Sequence, residues 1–234
     1  MFYSSSVILN GAQRSEESQT VARIPDPSLS LRDALGALRM TYHRGNVMIE
    51  HHVCPVWVGY LLASPVRKLL QNPKKILKPY VNEAVTVADI GCAMGFFSLP
   101  LAKMVGESGK VICVDIQEKM IRKLEKRARK AGLSERIQTI INNDKSFGLN
   151  EFEEKIDFAL AIGVVHEVPD SARFFSEIHD AMKPAGRLLV AEPKGRVSET
   201  EFERTVSIAK KGGFTVTDRP QIKRGRAVLL QKKS

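Results

Sequence analysis

Residues 87–97, Val-Ala-Asp89-Ile-Gly91-Cys-Ala93-Met-Gly95-Phe-Phe, constrain the fold more than any other stretch of this chain. An apolar run enters a turn of small residues, and a helical pattern follows from about Phe96. A second apolar run, Val111-Ile-Cys-Val-Asp115, ends in a carboxylate twenty residues after Gly95. That is the layout of a nucleoside-binding βαβ unit. The small residues let a ligand approach the main chain, and the acid is placed to hold two ribose hydroxyls. A dinucleotide turn needs a small residue at position 96 to pack its helix on the strand. Phe96 stands there instead, so no close pyrophosphate contact is expected.

From Ala84 onward, strand and helix signals alternate. Apolar runs at 85–90, 111–114, 137–141, 156–162 and 187–192 are separated by helical stretches. This alternation predicts an α/β fold with a doubly wound, mostly parallel sheet. Helix punctuation agrees. Asn72-Pro73 reads as a cap followed by proline in the first turn, and Gly132 suits the position just past the basic helix 117–131. Pro100 is placed in the first turns of its helix, where its missing donor costs least. Phe174, Ile178 and Met182 share one face of the next long helix. Ser198-Glu-Thr-Glu201 is a capping box opening the last one, with Phe202, Val206 and Ala209 inward and Gly212-Gly213 at its end. Phe214–Thr217 and Ala227–Gln231 then read as a terminal antiparallel pair of strands.

These motifs, taken in order, resemble class I S-adenosylmethionine-dependent methyltransferases of the small-molecule type. In motif I the resemblance extends to the enzymes of quinone biosynthesis and to arsenite methyltransferases. It covers residues 68–234. The acid and alternate glycines of 89–95 match motif I. Ile156–Ile162 matches the fourth strand, Val165–Asp170 the segment after it, and Lys183–Pro193 the turn and fifth strand. The resemblance implies a seven-stranded Rossmann-like sheet and S-adenosylmethionine as cofactor. Asp89, Gly91, Ala93 and Gly95 then shape the methionine end of the pocket. Asp115 takes the ribose and Asp144 the adenine amino group, and Ile116, Lys145 and Gly163 complete the cofactor set. Ala93 departs from the family pattern, which has glycine there. The reactive cysteine set of the arsenite enzymes is not matched.

Composition narrows the partner. The net charge of +10 invites nucleic acid, since lysine and arginine gain affinity by releasing counterions from phosphates. In helix 117–131, however, Ile121, Leu124 and Ala128 share one face and the bases occupy the rest, the pattern of a solvated helix. Charge therefore does not by itself require nucleic acid, and the resemblance to the quinone-biosynthesis enzymes implies a small-molecule methyl acceptor. Three cysteines without a CxxC pair point to a reducing compartment, with the cytoplasm expected. The longest apolar run, Val53 to Ala63, is too short to span a bilayer and contains a proline, so no membrane partner is expected.

Residues 1–47 lack sustained periodicity and are expected to be disordered, outside the fold. Val7–Ser18 and Asp33–Thr41 resemble a translated bacterial intergenic repeat, which would place the working start near Met40 or Met48. Removing 1–47 takes away five bases and four acids and leaves a charge of +9. Residues 48–80 read as a short helical lead-in that caps the domain spanning 81–234. Cys54, Trp57 and Tyr60 in this lead-in are candidates for the substrate pocket.

His166-Glu167 is the expected catalytic neighbourhood, because it follows the fourth strand at the edge where ligands bind in such sheets. Histidine can take a proton from an oxygen, nitrogen or sulfur nucleophile near neutral pH. The competing reading is that His166 packs or orients its loop. His51, His52 and Cys54 are possible metal ligands by type, but no spaced ligand pair supports them, and no metal is expected. Two other functions stay open. An RNA or protein methyltransferase is favoured by charge, yet the chain has no Asn-Pro-Pro-aromatic motif, and Cys54-Pro55 reverses the order used in cytosine carbon methylation. A non-catalytic S-adenosylmethionine-binding scaffold is hinted at by Ala93 alone.

Overall fold

The computed structural model describes residues 71–143 and 146–233. The element order is α1 (Pro73–Leu77), β1 (Thr86–Ile90), α2 (Ser98–Met104), β2 (Lys110–Asp115), α3 (Glu118–Lys130), β3 (Ile137–Ile141), β4 (Ile156–Ile162), α4 (Ser171–Ala181), β5 (Met182–Pro193), α5 (Glu199–Lys211), β6 (Phe214–Asp218) and β7 (Gly225–Lys232). Short 3-10 turns cover Ser134–Arg136, Asn150–Phe152 and Val165–Glu167.

The strands form one seven-stranded sheet in the order β3-β2-β1-β4-β5-β7-β6. Strands β1 to β5 pair in parallel, whereas β7 runs antiparallel between β5 and β6. The chain winds one way from β1 through β3 and the other way from β4. The crevice between the β1 and β4 ends is therefore the topological switch point, where open α/β sheets bind ligands.

Both faces of the sheet are covered, and the alternation of strand side chains shows it. Ala88, Ala159, Ala161, Leu188, Val190, Val228 and Leu230 pack into one core with Phe174, Phe175 and Ile178 of α4 and Phe202 and Val206 of α5. Their strand neighbours Val87, Phe158, Leu160, Leu189 and Leu229 face a second core with Leu101 of α2 and Ile121 and Leu124 of α3. Burying each large side chain of this kind contributes about 1.5–3 kcal/mol.

Local sequence rules set the element ends. The Asn72 side chain accepts from Lys75 N, with Pro73 in the first turn of α1. Past α3, Gly132 takes φ 67°, and Leu133 N reaches back to Ala128 O at 3.0 Å, which closes a Schellman cap. The capping box of Ser198 and Glu201 opens α5. Pro100 is the third residue of α2, where its missing N–H breaks no hydrogen bond of the helix. Two boundaries differ from the sequence pattern. Helix α2 begins at Ser98 rather than Phe96, because Phe96 and Phe97 belong to the turn and sink their rings into the core. Met182 is the first residue of β5, not the last of α4. It is buried either way, so the apolar period could not separate the two. Within β5, Ala185 at φ 60° accompanies a register shift against β4.

Candidate cofactor and active site

The turn between β1 and α2 is held in shape by backbone that few residues adopt. Gly91, Ala93 and Gly95 have φ of 72°, 46° and 80°, so alternate positions lie in the left-handed region. Gly91 N and Cys92 N both donate to Val114 O, at 2.8 and 3.1 Å, and Ala93 N donates to Asp115 Oδ2 at 2.8 Å. The turn thus hangs from the last two residues of β2. From below, Asp89 is buried and its Oδ2 accepts from Ser98 Oγ at 2.5 Å, which ties β1 to the start of α2. From the side, Arg127 of α3 donates to Met94 O. The solvated face expected for this helix holds for its other bases, but Arg127 is half-buried because it turns inward to this carbonyl, and burial lowers its pKa.

Two of the glycines serve packing. A β-carbon on Gly91 would stand 2.5 Å from Val164 Cγ2, and one on Gly95 would stand 3.1 Å from Leu124 Cγ. Gly163, at the carboxyl end of β4, differs: among the described residues a β-carbon there meets nothing within 4 Å.

Asp115 ends β2 and is buried, and burial raises its carboxyl pKa against the lowering effect of hydrogen bonds from Gln117 N and Ala93 N. Each oxygen takes one of these amides, at 2.8 Å in both cases, and retains a second acceptor direction. Ile116 and Ile141 are the exposed large hydrophobic residues among the described ones, and they flank this acid at the ends of β2 and β3, where Asp115 pairs with Ile141. An acid with spare acceptor capacity between two exposed apolar side chains fits a ribose with its attached base. The residues present therefore fit S-adenosylmethionine.

Past β4, the 3-10 turn Val165–Glu167 presents His166. Its Nδ1 lies 2.6 Å from Oε2 of Glu192, a buried acid near the end of β5, and Oε1 of the same carboxylate accepts from Val165 N at 2.8 Å. A carboxylate can only accept here, so Nδ1 carries the proton and Nε2 holds the free lone pair of the neutral ring. Nε2 stands 3.8 Å from Glu167 Oε1, too far for a hydrogen bond. The Glu192 bond raises the His166 pKa, burial opposes it, and the charges of Glu192 and Glu167 add to the rise. Burial also raises the Glu167 pKa, with His166 and Arg196 pulling it down. Glu167 Oε1 lies 3.7 Å from Arg196 Nη1. Among the causes of the Glu167 rise is the Asp115 charge, which puts the two acids in one electrostatic neighbourhood at the switch point.

The structure thus gathers Gly91, Ala93, Gly95, Asp115, Ile116, Gly163, His166 and Glu167 on one edge of the sheet, with Asp89 beneath the turn. Asp144, Lys145, Cys54, Trp57, Tyr60, His51 and His52, and the proposed tail and most of the lead-in, lie outside the described residues. Sequence reasoning missed Glu192, Arg196, Arg127 and Ile141 as site residues. Glu192 carried a signal, an acid closing a long apolar strand, while the other three carried none. Among the described residues, no group of His, Cys, Asp and Glu could hold a metal ion, and no helix is long and apolar enough to cross a membrane.

Known proteins share this arrangement. The family described as a methyltransferase domain matches residues 81–222. The demethylmenaquinone methyltransferase of Lactobacillus johnsonii is 30% identical over 153 residues, covering 62% of this chain and 62% of its own length. A ubiquinone biosynthesis O-methyltransferase of Methylobacterium nodulans is 30% identical over 149 residues, 63% of this chain and 55% of that protein. The chain therefore matches less than two thirds of the length of these curated relatives. A solved S-adenosylmethionine-dependent methyltransferase from Aquifex aeolicus aligns with a TM-score of 0.68 at 25% identity, over 76% of this chain and 99% of that one. The family match takes in more than half of the chain and all five strands whose carboxyl ends build the site, and the chain belongs to the class I S-adenosylmethionine-dependent methyltransferases.

Proposed function

We propose that the protein methylates a hydroxyl group of a small-molecule acceptor, with His166 as general base. The observation that carries this reading is the pairing of His166 Nδ1 with Glu192, which leaves Nε2 as the ring's proton-accepting atom at the switch point. S-adenosylmethionine, when bound, supplies an electrophilic methyl group on a sulfonium centre. Asp115 would accept from the ribose hydroxyls, Ile116 and Ile141 would flank the base, and the 91–95 turn would shape the methionine end. Asp144 and Lys145 are assigned to the adenine side. Gly163 leaves room above β4 for the acceptor, and Cys54, Trp57 and Tyr60 are assigned to its pocket.

Nε2 of His166 takes the hydroxyl proton as the oxygen becomes nucleophilic, and Glu192 stabilises the imidazolium that results. Holding the oxygen in line with the methyl group contributes about 7–11 kcal/mol of the barrier reduction. Proton removal by a placed base adds a factor of about 10²–10⁴. The name of the Methylobacterium relative, an O-methyltransferase, agrees with an oxygen acceptor.

The test pairs calorimetric titration with S-adenosylmethionine and S-adenosylhomocysteine with a mass-spectrometric screen of phenols, catechols and enols for methyl gain. His166→Ala should cut turnover by about 10²–10⁴-fold while S-adenosylhomocysteine still binds. Full turnover in that variant returns His166 to a loop-orienting role. Cofactor binding without methyl gain on any acceptor favours a scaffold.

A further inference from the structure

We propose that the acceptor is an anion, carrying a carboxylate or phosphate held by a cationic rim of Lys194, Arg196 and Arg224 beside His166. This inference rests on the methyl-transfer reading above. Its basis is the way β5 and β7 end together. Their register pairs Pro193 with Gly225, and Lys194 N donates to Arg224 O at 3.0 Å. The segment after β5 and the loop before β7, separated in sequence by α5 and β6, are thereby laid side by side.

That seam adjoins the catalytic turn, because Arg196 reaches Glu167, the residue after His166. The two stretches, Pro193–Val197 and Arg219–Arg226, contain six bases and no acid. Two of those bases are already engaged by α5: Arg219 forms a two-pronged pair with Glu203, and Arg226 lies 3.9 Å from Glu199. Lys194, Lys223 and Arg224 are exposed and form no salt bridge among the described residues. Arg196 is exposed too, and its contact with Glu167 at 3.7 Å leaves guanidinium donors to spare.

Cations left unneutralised at one side of a site raise the local concentration of anions and orient them. A guanidinium fork matches the two oxygens of a carboxylate or phosphate, and an ammonium beside it adds a point charge. A neutral acceptor would leave this charge without a role in binding.

The experiment uses the full chain saturated with S-adenosylhomocysteine, titrated with benzoate, phenyl phosphate and benzyl alcohol at low and high salt. Lys194→Gln/Arg224→Gln is the comparison, since both residues are exposed and neither touches Asp115 or His166. At least one anion should bind about tenfold more tightly than benzyl alcohol, lose about tenfold in the double variant, and weaken with salt. The stronger of the two anions identifies the headgroup. S-adenosylhomocysteine affinity should be the same in both proteins. Equal binding of benzyl alcohol, absence of anion binding, or an anion affinity untouched by the double substitution overturns the proposal. Much tighter binding of a single-stranded RNA oligonucleotide, lost in the same variant, overturns it in favour of a nucleic-acid surface. Failure of S-adenosylhomocysteine itself to bind removes the underlying methyl-transfer reading instead.

Discussion

Glu192 holds His166 twice over: one carboxylate oxygen lies 2.6 Å from the ring Nδ1, and the other accepts from the backbone of the preceding residue, Val165, at 2.8 Å. Orientation of the ring and placement of the turn that carries it therefore depend on one buried acid. The hydrogen bond to this acid, and then its charge, raise the His166 pKa above the ordinary imidazole value of about 6.5, against the opposing effect of burial.

The sign of the pH dependence follows. A proton acceptor must be neutral, so turnover should climb as pH rises through the raised His166 value. Glu192→Gln removes the charge and should move that climb toward lower pH. Stability runs the other way: the contribution of the ion pair is complete below about pH 6.5 and is lost as pH rises through the folded-state value. The difference in melting temperature between the wild type and His166→Ala should shrink over that same interval. A pH–rate profile unmoved by Glu192→Gln would separate the pair from catalysis.

Asp115→Ala should weaken S-adenosylhomocysteine binding by about a hundredfold or more, since charge-assisted hydrogen bonds contribute about 1.5–3 kcal/mol each. It should also destabilise the fold, because Ala93 N and Gln117 N lose their acceptor. Calorimetry reads the first effect and chemical denaturation the second. Undiminished affinity would place the ribose elsewhere.

Ala93→Gly should be neutral to stabilising by about 1 kcal/mol. The left-handed backbone at φ 46° costs a residue with a β-carbon about 1–2 kcal/mol, and glycine gives back part of that gain through the larger freedom of the unfolded chain. A melting-temperature increase of a few degrees, with cofactor affinity held or tightened, is the expected reading. A marked loss of stability would show that the methyl group packs usefully in the turn.

Gly91→Ala should damage both halves of the site. The left-handed φ of 72° costs about 1–2 kcal/mol, and the new methyl must displace Val164, 2.5 Å away, at about 1–3 kcal/mol more. Val164 leads directly into the Val165–Glu167 turn, so turnover should fall together with the melting temperature. A stable variant with full turnover would show that the turn and the catalytic loop move independently.

Much of this protein can be read from local rules. The runs 85–90, 111–114 and 156–162 are apolar enough to be central strands, Gly132 and the Ser198–Glu201 box stop and start their helices, and the spacing from Gly95 to Asp115 marks a nucleoside site. Each depends on residues a few positions apart, or on one crossover of standard length. The placement of β7 between β5 and β6, the approach of Glu192 to a histidine 26 positions earlier, the inward turn of Arg127 and the seam between Lys194 and Arg224 are of another kind. They join strand ends and helix faces distant in sequence. No periodicity encodes such meetings, because they follow from the spatial order of the strands, and only the packed sheet decides which charges share an edge.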